Sequence, residues 1–256
     1  MSNPVRKRLI KSFAAQGFGQ VINIIIQVFS VPIFLHFWGK ELYGEWLLLS
    51  TIPTYLSLSD FGFASAAGND MTMRVARGDK DGALAVFQSV WVLISAISLV
   101  LTSVLLVSAK FLPLVEWFRL TRITPAEVVT IVTFLTLQVS VAQQMGLLGA
   151  GFRSDGNYAR GVTASNLQRL AEFLAGVVVL YMGAGPVTLS GTVLLIGFFS
   201  NTIIRFDLKR RSPWLSIGWK YASMRLIKQV AGPAIAFMGF PIGHALSLQG
   251  VVTVVG

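Results

Sequence analysis

Residues 84–108 run without a single Asp, Glu, Lys or Arg. An uninterrupted apolar stretch of that length is enough to cross a hydrocarbon core of about 30 Å as one helix. Similar stretches recur at residues 12–37, 42–67, 126–151, 162–182 and 187–206, and a seventh starts near residue 229 and is still apolar at residue 256. Inside a bilayer each backbone N–H and C=O must find its partner within the protein, which restricts spanning segments to helices or closed barrels. Runs of this length predict helices, so the expected fold is an all-α, polytopic membrane bundle.

Composition narrows the functional classes. Only 12% of the residues are charged and 54% are hydrophobic, whereas a soluble domain carries about a quarter charged residues. The net charge of +10 would suggest nucleic acid in a soluble protein. Here the basic residues sit in short connectors between apolar runs, which predicts contact with anionic lipid head groups and no nucleic-acid partner. Without cysteine there is no disulfide and no thiolate metal site. The sequence contains no phosphate-binding Gly-x-x-x-x-Gly-Lys loop and no His-Glu-x-x-His motif. No enzyme, metal or cofactor is therefore expected.

The first residues, MSNPVRKRLIKSF, place positive charge before an apolar run as a signal peptide does. That run outlasts a signal core and no small-residue cleavage site follows, which predicts an uncleaved first helix. Sixteen of the 21 Lys and Arg residues fall at the N-terminus and in alternate connectors, against four in the intervening ones. This asymmetry predicts a cytoplasmic N-terminus. Residues 213–230, PWLSIGWKYASMRLIKQV, can gather Leu215, Trp219, Leu226 and Ile227 on one helical face, away from Lys220, Arg225 and Lys228. A helix lying in the cytoplasmic interface is expected there.

One stretch is more specific. Tyr43-Gly-Glu-Trp opens the second run, Leu58-Ser-Asp-Phe-Gly-Phe closes it, and Ala67-Gly-Asn leads into a basic segment ending at Gly78-Asp79. It resembles the second helix and following loop of bacterial polysaccharide biosynthesis membrane proteins, the Wzx-type flippases of lipid-linked oligosaccharides for O-antigen, capsule and exopolysaccharide. Their superfamily includes MATE multidrug exporters and the murein lipid flippase. As a hydropathy pattern the resemblance extends from about residue 11 to the end.

The resemblance implies two six-helix lobes that work by alternating access. Arg8-Leu-Ile-Lys11 precedes the first run and recurs as Arg225-Leu-Ile-Lys228 before the seventh, as a repeat would. The chain is then expected to hold a six-helix lobe at 1–206, a basic cytoplasmic loop with the interfacial helix at 207–228, and an incomplete second lobe at 229–256. Such an arrangement suggests a truncated product or a fragment. The partners implied are a lipid-linked oligosaccharide, anionic membrane lipids, and a polysaccharide polymerase with other assembly proteins.

Polar residues inside apolar runs need a cavity or another helix to satisfy them. Gln16, Gln20, Asn23 and Gln27 are spaced by four, three and four, which aligns four amides on one face of the first helix. They either line a hydrated pathway and bind sugar hydroxyls, or form interhelical hydrogen bonds; the resemblance favours the pathway. Gln138 extends the amide lining, with Gln143 and Gln144 beside it. Arg169 and Glu172 stand three apart in NLQRLAEFLAG. Arg169 is a candidate to hold a carrier pyrophosphate, and Glu172 to position it or take up a proton; a structural ion pair or a snorkelling arginine is the alternative. Asp60 is expected to pair with Arg74 and Arg77 as an inner gate or at a helix end. His244 is a candidate for proton coupling or an ordinary hydrogen-bond donor.

The expected activity is flipping of an undecaprenyl-pyrophosphate-linked oligosaccharide from the cytoplasmic to the outer leaflet. A multidrug or organic-cation antiporter would call for an acid in the first helix, where only amides stand. The murein lipid flippase is separated mainly by the two motifs. A carrier-lipid glycosyltransferase would need a larger outer loop than residues 110–125. A non-transporting scaffold of a polysaccharide assembly complex is the remaining alternative.

Overall fold

The computed structural model describes residues 4–57 and 62–235. The chain forms α1 (Pro4–Ser57), α2 (Phe63–Ala76), α3 (Lys80–Phe111), the single turn α4 (Leu114–Trp117), α5 (Pro125–Ser154), α6 (Tyr158–Tyr181) and α7 (Pro186–Arg211). A further helix, α8, covers 224–235, and no strand occurs among the described residues. Among the described residues, four helices are long and apolar enough to cross a membrane: Arg6–Pro53, Lys80–Phe111, Pro125–Ser154 and Pro186–Arg211. The protein is an all-helical, multi-pass membrane protein.

The long α1 is two arms. Gly39 has φ 71 and ψ 179, a conformation that side chains with a Cβ avoid, and it ends the first helix where Phe37-Trp38-Gly39 suggests. Aromatic rings clamp the bend: Phe34 stacks on Tyr43 at 5.3 Å and Trp38 meets Trp46 edge-on at 5.6 Å. The first arm then runs beside α6, where Phe37 meets Tyr181 and Trp38 donates its indole N–H to the Ala184 carbonyl.

The second run is not one helix over residues 42–67: helix is described to Ser57, and α2 begins at Phe63 behind Gly62, whose φ of 72 is left-handed. α3 and α5 start ahead of their apolar runs because polar residues cap them. Asp79 accepts the Gly82 N–H at 2.8 Å and starts α3. Thr124 donates its N–H and its hydroxyl to Glu127, each at 2.8 Å, and starts α5.

α5 is the central helix and belongs to two cores. Toward its C-terminus Met145, Leu147, Leu148 and Phe152 pack with α2, α3 and α7 around Met71, Phe87 and Leu208. Toward its N-terminus Val128, Ile131 and Val132 pack around Leu49 and Leu114. Small residues let helices approach it: a Cβ on Gly68 of α2 would lie 3.1 Å from that of Ala150, the close contact that membrane helices use in place of a hydrophobic driving force.

The two ends of the bundle differ. At one, Glu45 accepts the backbone N–H groups of Thr121, Arg122 and Ile123 at 2.6, 2.9 and 3.0 Å and pins the 119–124 segment, while Arg122 pairs with Glu41. The other end gathers the N-terminus of α1, the α2–α3 and α5–α6 turns and the C-terminus of α7, and with them most of the positive charge.

Residues 213–223 at this basic end form turns and irregular backbone, and helix resumes only at 224, within the 213–230 stretch expected to be an interfacial helix. Their polar groups are taken by other elements. Trp214 donates to Asp155, Gln88 donates to the Ser216 carbonyl and accepts the Tyr221 N–H, and Ser89 accepts the Ser223 N–H. Leu215 is buried in the core, so the segment is tied inward and leaves Trp219 exposed.

Because Gly39 sets the bend, Gly39→Ala should lower stability by about 1–3 kcal/mol. Thermal unfolding of the purified protein in detergent checks this, and an unchanged midpoint would mean that the bend needs no glycine.

Candidate functional site

α6 is too polar to count among the long apolar spans, and its polar residues explain the cavity beside it. Tyr158, Ser165, Gln168, Arg169 and Glu172 follow one another at spacings that keep them on one face at about 100° per residue. That face meets Gln138, Met145, Gly146, Gly149 and Arg153 of α5 across a cavity of about 490 Å³.

The first arm of α1 closes its side through two contacts. Gln16 donates to the Tyr158 hydroxyl at 3.2 Å, and Arg169 donates to the Asn23 side-chain oxygen. Between them, Asn166 donates its amide to the Ala15 carbonyl at 3.0 Å. Only glycine fits opposite: a Cβ on Gly19 would lie 2.5 Å from the Asn166 amide nitrogen. This approach draws the α1 amides to the polar face of α6.

Positive charge enters the cavity at two levels. Arg153 lies near the basic end, beside Asn69 and 5.8 Å from the Tyr158 ring centre. Arg169 lies eleven residues along α6 from Tyr158, deeper by about 16 Å at 1.5 Å per residue. Arg169 and Glu172 form no ion pair; Glu172 instead accepts from Gln168 at 2.9 Å and lies against Gly197 of α7. The Arg153 Nε and the Gln168 Oε1 are buried without a hydrogen-bond partner, and both residues line the cavity.

The residues singled out from sequence separate into groups. Gln138, Arg169 and Glu172 line the cavity, and Gln16 and Asn23 touch its lining. Gln20 and Gln27 are exposed on α1 and do not line it. Arg74 pairs with Asp70 and Asp79, each at 3.2 Å, while Arg77 is exposed; neither lines the cavity. Asp60 and His244 lie outside the described residues. Gln144 faces the other way, donating to Ser95 of α3 at 2.9 Å. It borders a second cavity, of about 590 Å³ between α3, α5 and α7, where Arg205 stacks on Trp91 at 4.8 Å.

Tyr158, Ser165, Asn166, Gln168 and Arg153 were not singled out from sequence. The repeated polar spacing along α6 could have found the first, second and fourth. Asn166 and Arg153 needed the neighbouring helices.

Two solved structures share the fold of this chain. One is a MOP superfamily transporter from Pyrococcus furiosus, described by the reverse polarity of its binding pocket, which suggests a different function; the TM-score is 0.66 at 15% identity. The other is an outward-facing multidrug resistance MATE family transporter of the MOP superfamily, with a TM-score of 0.64 at 15% identity. The likeness shows a common fold. It covers 91% of this chain and 52% of each of those chains, so this chain spans about half their length. No protein-family profile and no curated relative matches the chain.

The absence of native cysteine allows single-cysteine mapping of the cavity. Ser165→Cys and Gln138→Cys should react with a water-soluble maleimide, because only a hydrated thiol ionises readily. Leu174→Cys, on the opposite, exposed face of α6, should stay unlabelled in vesicles. Equal labelling of all three would show that the α5–α6 face is no distinct aqueous site.

Proposed function

We propose that this protein is a transporter that flips an undecaprenyl-pyrophosphate-linked oligosaccharide across the cytoplasmic membrane. The observation that carries the reading is Arg169, held by Asn23 within a cavity lined by neutral amides and hydroxyls. Sugar hydroxyls are recognised by neutral donors and acceptors. A pyrophosphate is recognised by guanidinium groups, which bind it through paired charge-assisted hydrogen bonds. The cavity offers both chemistries, with Arg153 nearer the basic end and Arg169 deeper.

The fold common to MOP transporters and the Tyr43–Asp79 motif region support the same reading. The excess of Lys and Arg at one end supports a cytoplasmic N-terminus. Alternating access would set this lobe against a second one, because the matched transporters are about twice as long. An organic-cation exporter suits the site less well. Two arginines line the cavity against one carboxylate, Glu172, which is held by a neutral glutamine.

Inverted membrane vesicles containing the protein provide the test. Delivery of a lipid-linked oligosaccharide to the lumenal leaflet should fall about 10- to 100-fold in Arg169→Ala at unchanged membrane abundance. Arg169→Lys should restore part of it. Undiminished flipping by Arg169→Ala would remove the pyrophosphate role. Export of organic cations that depends on Glu172, without glycan transfer, would replace the flippase reading.

A further inference from the structure

The contact between α1 and α6 has a second flank. On α6, positions 159, 160 and 163 point roughly opposite to the cavity-facing positions 158, 161, 165, 168 and 172 at about 100° per residue. Along that outer flank Ala14 and Phe18 of α1 face Ala159 and Thr163 of α6 across a groove of about 470 Å³. At the basic end the groove meets a polar basin of about 460 Å³ that shares Lys11, Ala159 and Arg160 with it.

The charges of the basin are unequally matched. Arg160 and Arg211 both bind Asp207, Arg160 through two bonds of 2.6 and 2.8 Å. The basin's carboxylate, Asp155, is occupied by Ser212 at 2.7 Å, Asn157 at 3.1 Å and Trp214 at 3.2 Å. Arg8 lies over Gly156, and Lys11 lines both hollows. Within the described residues neither Arg8 nor Lys11 forms an ion pair with a carboxylate. Two unmatched cations therefore sit at the head of an apolar groove that opens away from the transport cavity.

We propose that this groove holds one anionic glycerophospholipid of the bilayer, with its phosphate between Arg8 and Lys11 and an acyl chain along Ala14, Phe18, Ala159 and Thr163. Charge complementarity selects the headgroup, and the apolar continuation selects a lipid over a soluble phosphate. The groove's position on the outer flank selects a bilayer phospholipid over the transported carrier. The lipid would brace the first arm of α1 against α6 from the side opposite the cavity. This site does not depend on which substrate the cavity carries.

Binding can be measured by native mass spectrometry of the purified full chain from phosphatidylcholine nanodiscs titrated with phosphatidylglycerol. The parent should retain one phosphatidylglycerol. R8Q/K11Q should weaken its binding roughly 10- to 30-fold, as two basic groups near a lipid phosphate predict. Ala159→Phe should weaken it similarly without changing any charge. K209Q/R210Q, which removes two exposed cations that line neither hollow, should bind as the parent does.

The proposal fails if K209Q/R210Q loses as much as R8Q/K11Q, which would mean diffuse charge attraction. It also fails if Ala159→Phe binds normally, if the parent retains no phosphatidylglycerol, or if a polyprenyl pyrophosphate binds there and phosphatidylglycerol does not. Circular dichroism and monodispersity of each variant separate lost binding from lost folding.

Discussion

The Asn166 amide reaching the Ala15 carbonyl beside Gly19 is the contact on which both hollows depend. A backbone carbonyl of a continuous helix already accepts its own helical bond, so this amide adds a partner without breaking the ladder. It is also a tight spacer. With no Cβ at position 19, the two helices approach closely along one line, and the flanks of that line open into the polar cavity on one side and the cationic groove on the other. The amide and hydroxyl groups of α6 then have a polar neighbour in α1, which makes so polar a helix tolerable inside an apolar bundle.

The fold was largely legible because lipid leaves few choices. Predominantly apolar runs at residues 84–108 and 126–151 of span length must become helices, and α3 and α5 contain them. The Phe37-Trp38-Gly39 boundary was legible because glycine after interfacial aromatics is a local signal. What sequence missed arose from contacts between distant segments. Residues 213–230 have an amphipathic pattern, yet Gln88 and Ser89 bond the Ser216 carbonyl and the Tyr221 and Ser223 N–H groups, which a helical ladder through 213–223 would use. Gly62 likewise divides what hydropathy reads as one span.

The candidate site was only half legible for a related reason. Periodicity gives the face of a helix, and it put Gln16 and Asn23 on the face that meets α6. It cannot say where along a shared face the neighbour ends, so Gln20 and Gln27 carry the same signal and remain exposed. Spacing alone also suggested that Arg169 and Glu172 belong together. In the fold Arg169 turns to Asn23 on α1 and Glu172 turns to Gln168 beneath α7. The cation and the carboxylate of one helical turn therefore serve different helix contacts.

The central position of α5 bears on how the chain is made. The bond from Asn166 to Ala15 spans 151 residues and that from Thr121 to Glu45 spans 76, and both cores of the bundle need residues of α5. A ribosome delivers α1, α2 and α3 first, when none of these partners exists. α2 and α3 can pack on each other at once, but the first arm of α1 must wait in the bilayer with its amides still facing lipid, water or the insertion machinery. Its docking becomes possible only when α6 arrives, so the interval between the first helix and the sixth is when quality control can recognise the chain as unfinished.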